Sequence, residues 1–115
     1  MVSRNIKKQR NGMKAFVYIG PEEIGNVDFS VIDESMGVIG GDFVPNKNYA
    51  KYKHRIQKHF DQKGISNIED FNYRIVLEDN TELKPSGGIG IIDCSNFNEI
   101  LVESGGLDFS KLLTN

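Results

Sequence analysis

"VDFSVIDESMGVIGGDFVPNKNYAKYKHRIQKHFDQKG", residues 27–64, decides the fold, because its apolar period changes partway along. At the start the period is two. Val27, Phe29 and Val31 fall on one side and Asp28 and Ser30 on the other, which is strand alternation. "DESMG" is made of turn formers, and Gly37 tolerates a positive φ. "GVIGGDFVP" then supplies a second strand with Val38, Ile39, Phe43 and Val44, ended by Pro45. Its central Gly40-Gly41 pair marks a bulge or a close approach by another segment. Beyond Pro45 the period becomes helical. Tyr49, Tyr52, Ile56 and Phe60 form a single apolar stripe, and Lys51, Lys53, Arg55, Lys58 and Lys63 cover the remaining surface. Asn46 or Asn48 can cap this helix and Gly64 is a natural stop, so the spacing predicts a helix over 47–63.

The flanking sequence is mostly strand. "MKAFVYIG", 13–20, is a run of strand formers stopped by Gly20-Pro21, and "PEEIGN", 21–26, reads as a loop or a single helical turn. In "FNYRIVLE", Phe71, Tyr73, Ile75 and Leu77 alternate with more polar positions. Asp79-Asn80 makes a hairpin turn, with Leu83 and Pro85 on a short return. "GGIGIIDC", 87–94, and "EILVES", 99–104, are two further strands. "GLDFSKLL", 106–113, suits a last helical turn with Leu107, Leu112 and Leu113 docking on the core. No linker divides the chain. The expected architecture is α+β: a mainly antiparallel sheet of five to seven strands with one long helix packed on one face. It forms a single domain over 13–115 behind a basic, flexible N-terminal tail, 1–12.

At 115 residues, one domain can bury a core without staples. No apolar run approaches the roughly 18 residues of a membrane span, and the N-terminus lacks the apolar stretch of a secretory signal. The single cysteine, Cys94, excludes an internal disulfide and fits a reducing, cytoplasmic setting. The net charge of −2 hides an asymmetry. Arg4, Lys7, Lys8, Arg10 and Lys14 precede the first acid, Glu22, so residues 15–115 hold nine basic and sixteen acidic groups, a net of −7. An acidic body repels nucleic acid and attracts basic partners. Solubility alone is an equal explanation of such a charge.

Candidate chemistry is sparse. A phosphate cradle needs a helix N-terminus after its glycines, whereas "GGIG", 87–90, runs into the strand-like "IIDC". His54 and His59 are five positions apart, about 140° around a helix, where a two-histidine metal site wants four. No metal or cofactor is expected. Cys94 reads as a small strand-end residue rather than a nucleophile. Paired carboxylates occur at Glu22-Glu23, Asp33-Glu34, Glu69-Asp70 and Glu78-Asp79, but adjacent turn acids are usually solvated, whereas acid–base catalysis needs one buried. Asp33 and Glu34 with Asp42, beside Gly-rich backbone, are the best candidates for a small-ligand or enzymatic site. Turn acids bonding to nearby amides are the plainer reading. The basic helix face, Lys51–Lys63, could bind RNA or DNA, is solvated, or pairs with acidic sheet within the molecule or across a homodimer; the acidic remainder counts against nucleic acid.

The order of these motifs carries a resemblance. An Asp-x-Ser-Met-Gly-Val turn (33–38), a Gly-containing strand ending in Pro45, a Tyr-containing helix, and the closing "LKPSGGIGIID" and "ILVESGGLD" resemble small bacterial immunity proteins of polymorphic or contact-dependent toxin systems, over 27–108. The resemblance implies a cytoplasmic, non-enzymatic protein that occludes a cognate toxin, such as a basic nuclease domain, without touching nucleic acid or membrane. The acids expected at that interface are Asp33, Glu34 and Asp42, or Glu69, Asp70, Glu78, Asp79 and Glu82. The competing readings are a ligand binder or enzyme using the Gly-rich loops, and a homo-oligomeric structural module.

Overall fold

The structure, a computed structural model, describes residues 13–63, 66–67, 71–94 and 98–109 of the 115. The expectations for the 1–12 tail, Gly64, Glu69, Asp70, Leu112 and Leu113 lie outside the described residues. In chain order the elements are β1 (Met13–Ile19), β2 (Glu22–Asp33), β3 (Val38–Pro45), a 3₁₀ turn (Lys47–Tyr49), α1 (Ala50–Lys63), β4 (Ser66–Asn67), β5 (Tyr73–Leu77), β6 (Ile89–Asp93) and β7 (Ile100–Ser104). They form one α+β unit. The seven strands pair antiparallel in the order β4-β6-β7-β3-β2-β1-β5.

The sheet curls until β5, at one edge, approaches β6, near the other. Its concave side holds the core, where Ala15, Val17, Val27, Phe29, Ile39, Tyr73, Ile75, Ile91 and Val102 are all fully buried. α1 crosses this side against β6 and β4, and Ile56 drives into the core. Burying such a side chain contributes about 1.5–3 kcal/mol, so the concave layer is what holds the curl. Tyr49 is also buried and Tyr52 packs against the core. Phe60 departs from the expected stripe: it is only half buried and leaves the core for the rim of the sheet.

Local chemistry explains the joints. Asn46 Oδ1 accepts from the Asn48 N–H at 2.8 Å and caps the 3₁₀ turn, while the Asn46 N–H donates to Ile24 O at 2.9 Å. These bonds tie the start of the helical region to β2. The segment 21–26 is not a loop, because β2 begins at Glu22 and pairs with Ile19 across a tight Gly20-Pro21 turn. Ile24 is fully buried at a bulge in the β1–β2 pairing, and a side chain on Gly25 would collide with the Phe43 ring and the Val44 carbonyl, so the segment is held as strand against β3. The Asp79-Asn80 hairpin forms as expected, with Asn80 at φ 73 and the Leu77 N–H donating to Thr81 O at 2.8 Å. Its return, Glu82 opposite Val76 and the Leu83 N–H on Ile75 O, covers the outer edge of β5. No helix among the described residues is long and apolar enough to cross a membrane.

Candidate functional site

The convex side of the sheet faces away from α1. Side chains alternate along a strand, so with Val27, Phe29, Ile39, Phe43, Ile91 and Val102 turned inward, their neighbours project outward. The pairings align them in a row. Lys14 lies opposite Asp28, the same β2–β3 register carries Asp28 to Asp42, Asp42 pairs with Leu101, and Leu101 pairs with Ile92. The adjoining row holds Ser30, Gly40, Glu103 and Gly90. Asp28, Asp42 and Glu103 are exposed, as is Glu99 just before β7. Exposed apolar side chains accompany them: Val44 at 57% and Ile32 at 58%. A side chain on Gly40 would meet both Ile32 Cδ1 and Glu103 Cγ, so those two side chains lie over the Gly40 backbone. Like charges facing each other across strands are destabilising. Asp28 and Asp42 therefore form a surface on which a cation relieves repulsion, and of the row only Lys14 supplies one.

The row ends in an apolar cavity of about 280 Å³ lined by Phe60, Ile92, Cys94, Glu99 and Leu101. Among the described residues no histidine lines it, and Glu99 is the ionisable side chain that shares it with Cys94. This is where the departure of Phe60 from the core acquires a consequence: its ring walls an opening on the outer surface.

Close by, on the concave side, one carboxylate is buried. Asp93, 1% exposed, accepts from the Tyr49 hydroxyl at 2.6 Å, from Gln57 Nε2 at 3.2 Å and from Lys53 Nζ at 3.3 Å. Burial, followed by the Asp93 carboxylate, pushes the Tyr49 pKa far up, so its hydroxyl stays a donor. Every named partner lies on or just before α1, so this cluster fastens the helix to β6. It was not expected from sequence. An acid at the inward position of an apolar strand, "IGIID", was the signal that could have found it.

The acids expected at an interface separate in space. Asp33 Oδ1 accepts from Ser35 Oγ at 2.8 Å and from the Met36 N–H at 3.1 Å, the turn role weighed for it above. Glu34 is exposed in the same turn. Asp42 does not join them: it lies four positions along β3 from Val38, the partner of Asp33, about 13 Å away at strand rise. Its neighbour is Asp28, which sequence reasoning passed over. Glu78 and Asp79 are exposed at the β5 hairpin, where Asp79 accepts from the Thr81 N–H at 3.0 Å. Glu82 is engaged by Arg74 at 3.0 Å and Lys84 at 3.5 Å.

The Gly-rich loops spend their amides on one another. The Gly87 N–H donates to Gly105 O, Gly88 to Pro85 O, Gly105 to Gly88 O, Gly106 to Met36 O and Leu107 to Gly37 O, all between 2.9 and 3.3 Å. Three loops are knitted together at one end of the sheet, and these donors are not available to a phosphate. Among the described residues no group of three or more His, Cys, Asp or Glu side chains converges on a point a metal could occupy.

Several carboxylates sit below their ordinary range: Glu22 because Lys51 and Tyr52 donate to it, Asp33 because of Ser35 and Met36, Asp79 because of Thr81, and Glu82 because of Arg74. A carboxylate with a depressed folded pKa contributes stability above its unfolded value and loses it as pH falls through the folded one. The urea midpoint should therefore decline as pH drops below about 4. Asp33→Asn should lower the midpoint at pH 7 and weaken that decline. An unchanged acid limb in Asp33→Asn would show that the turn carboxylate carries none of it.

Comparison with protein-family models, with curated proteins and with solved structures finds no match to this chain.

Proposed function

We propose that this chain is a non-enzymatic binding protein that captures and occludes a basic partner on the convex face of its sheet. The partner is the toxin domain that the resemblance to immunity proteins implies, met in the cytoplasm. The observation that carries the reading is the row Lys14–Asp28–Asp42–Leu101, exposed at its three charged members, half-buried at Leu101 and flanked by the exposed Glu99 and Glu103. It combines negative charge, which draws a cationic partner, with exposed apolar side chains, which give that partner area to bury. A cationic toxin surface is drawn to such a patch by steering, and its active-site cations are the groups such acids would cover.

The test needs the partner first, which low-salt affinity capture from the native host supplies. Association is then followed by stopped flow for the wild type and for Asp28→Asn/Asp42→Asn. Both side chains are exposed, so the urea midpoint should stay within about 0.5 kcal/mol of the wild type. The expected association rate in the variant is lower by about tenfold at low salt. The two rates should converge near 0.5 M salt, where screening shortens the electrostatic reach to a few ångströms. Equal rates at low salt would remove the convex face from the interface.

A second reading is favoured by a separate observation. Lys47 and Lys58 are exposed on the helical side, opposite the acidic sheet face. That polarity suits head-to-tail self-association, which sedimentation at two protein concentrations and two salt concentrations would detect.

A further inference from the structure

The convex face has a direction. It starts with acids beside β1 and ends at the apolar cavity between Phe60, Ile92 and Leu101. A matching ligand is an extended, basic segment with one apolar side chain toward its far end.

The chain itself contains such a segment. Residues 1–12, "MVSRNIKKQRNG", carry Arg4, Lys7, Lys8 and Arg10 with no acid, and Ile6 stands between the cations. The segment joins β1 at Met13, beside Lys14, where the acidic row begins. Crossing from β1 through β2, β3 and β7 to β6 takes four strand spacings, about 19 Å at 4.8 Å each. Seven residues of extended chain, from Met13 back to Ile6, span up to about 23–25 Å. The surplus of a few ångströms matches the longer path around a convex surface. At about 1.75 residues per strand spacing, Arg10 passes over Asp42 on β3 and Lys8 over Glu103 on β7 while Ile6 arrives at the cavity. A tether of this length gives an effective concentration in the millimolar range, so weak contacts suffice to fill the face.

We propose that the N-terminal segment docks in cis across the convex face, with Ile6 seated against Leu101, Ile92 and Phe60, as a self-ligand that a partner must displace. This rests on the reading of that face as the capture surface. It predicts selectivity: weak polycations are turned away, and only a partner with stronger contacts gains the face.

Cys94 lines the cavity and is the only cysteine in the chain, which makes the test direct. In the full-length protein, Ile6→Cys is compared with Ser3→Cys under mild oxidation at low protein concentration. Disulfide formation is followed by thiol titration and by mass spectrometry of the linked peptide. The expected result is an intramolecular link from position 6 to Cys94, formed at least tenfold faster than from position 3. It should be slowed severalfold by 0.5 M salt and by Asp28→Asn/Asp42→Asn. Equal rates from the two positions would overturn the proposal, and so would indifference to salt and to the acid variants. Linked dimers alone would also overturn it and give the seat to a second copy. No toxin is used, so a failed cross-link leaves the capture reading standing. Likewise, a capture rate unaffected by the acid variants would not disturb a cross-link that forms.

Discussion

Asp93→Ala is expected to lower stability by about 3–5 kcal/mol, the cost of removing one partner from a buried charged cluster. The side chain is 1% exposed and accepts three hydrogen bonds from Tyr49, Lys53 and Gln57. The loss falls unevenly on these donors. Lys53 is half exposed and can return its ammonium to water. The Tyr49 hydroxyl is buried, and each buried donor left without an acceptor costs about 1–3 kcal/mol. Asp93→Asn keeps the volume and one acceptor and should cost less than half as much. A urea series on both variants checks this, and an unchanged midpoint in Asp93→Ala would show that α1 is held by apolar packing alone. Cys94 is the next residue and Phe60 lies on the same helix, so loosening this fastening should also open the cavity. A faster reaction of Cys94 with a thiol reagent in Asp93→Ala, below the unfolding midpoint, would register it.

The second large effect is expected at Gly37, where alanine should cost about 2–5 kcal/mol. The residue sits at φ +68, a left-handed conformation that penalises any L side chain by about 1–2 kcal/mol. A Cβ there would also overlap the carbonyl and amide of Leu107, and overpacking of this kind adds about 1–3 kcal/mol. Backbone cannot rotate away as a side chain can. Relief requires breaking the Gly106 N–H bond to Met36 O or the Leu107 N–H bond to Gly37 O, each 3.1 Å. Gly105→Ala is the internal control. Gly105 has no positive φ, and its nearest neighbour to an added Cβ is Val38 Cγ2 at 3.8 Å. A thermal or urea comparison in which both alanines cost the same would mean that the loop junction is not tightly packed.

The strand–turn–strand–helix order of 27–63 was legible in residue order because its signals are local. A period of two, a period near 3.6, a turn in which Asp33 accepts from the Met36 N–H and a cap at Asn46 each involve neighbours within a few positions. The fold class follows from such signals, and so does the charge contrast between residues 1–14 and the acidic body. The segment 21–26 was misread because its strand character comes from outside it, from Ile19 across the turn and from Phe43 pressing on Gly25. The candidate site fails to appear in sequence for the same reason. Asp28, Asp42, Glu103 and Leu101 come from three strands, and the register between those strands makes them one surface. Asp93 reads as a strand-end acid until α1 brings Tyr49, Lys53 and Gln57 over it, 36 to 44 positions away in the chain. Local pattern selects the elements, because a side chain's periodicity depends only on its own backbone. Which faces are buried, which acids become neighbours and which glycines admit no side chain depend on long-range pairing, and that is set only when the sheet closes on its core.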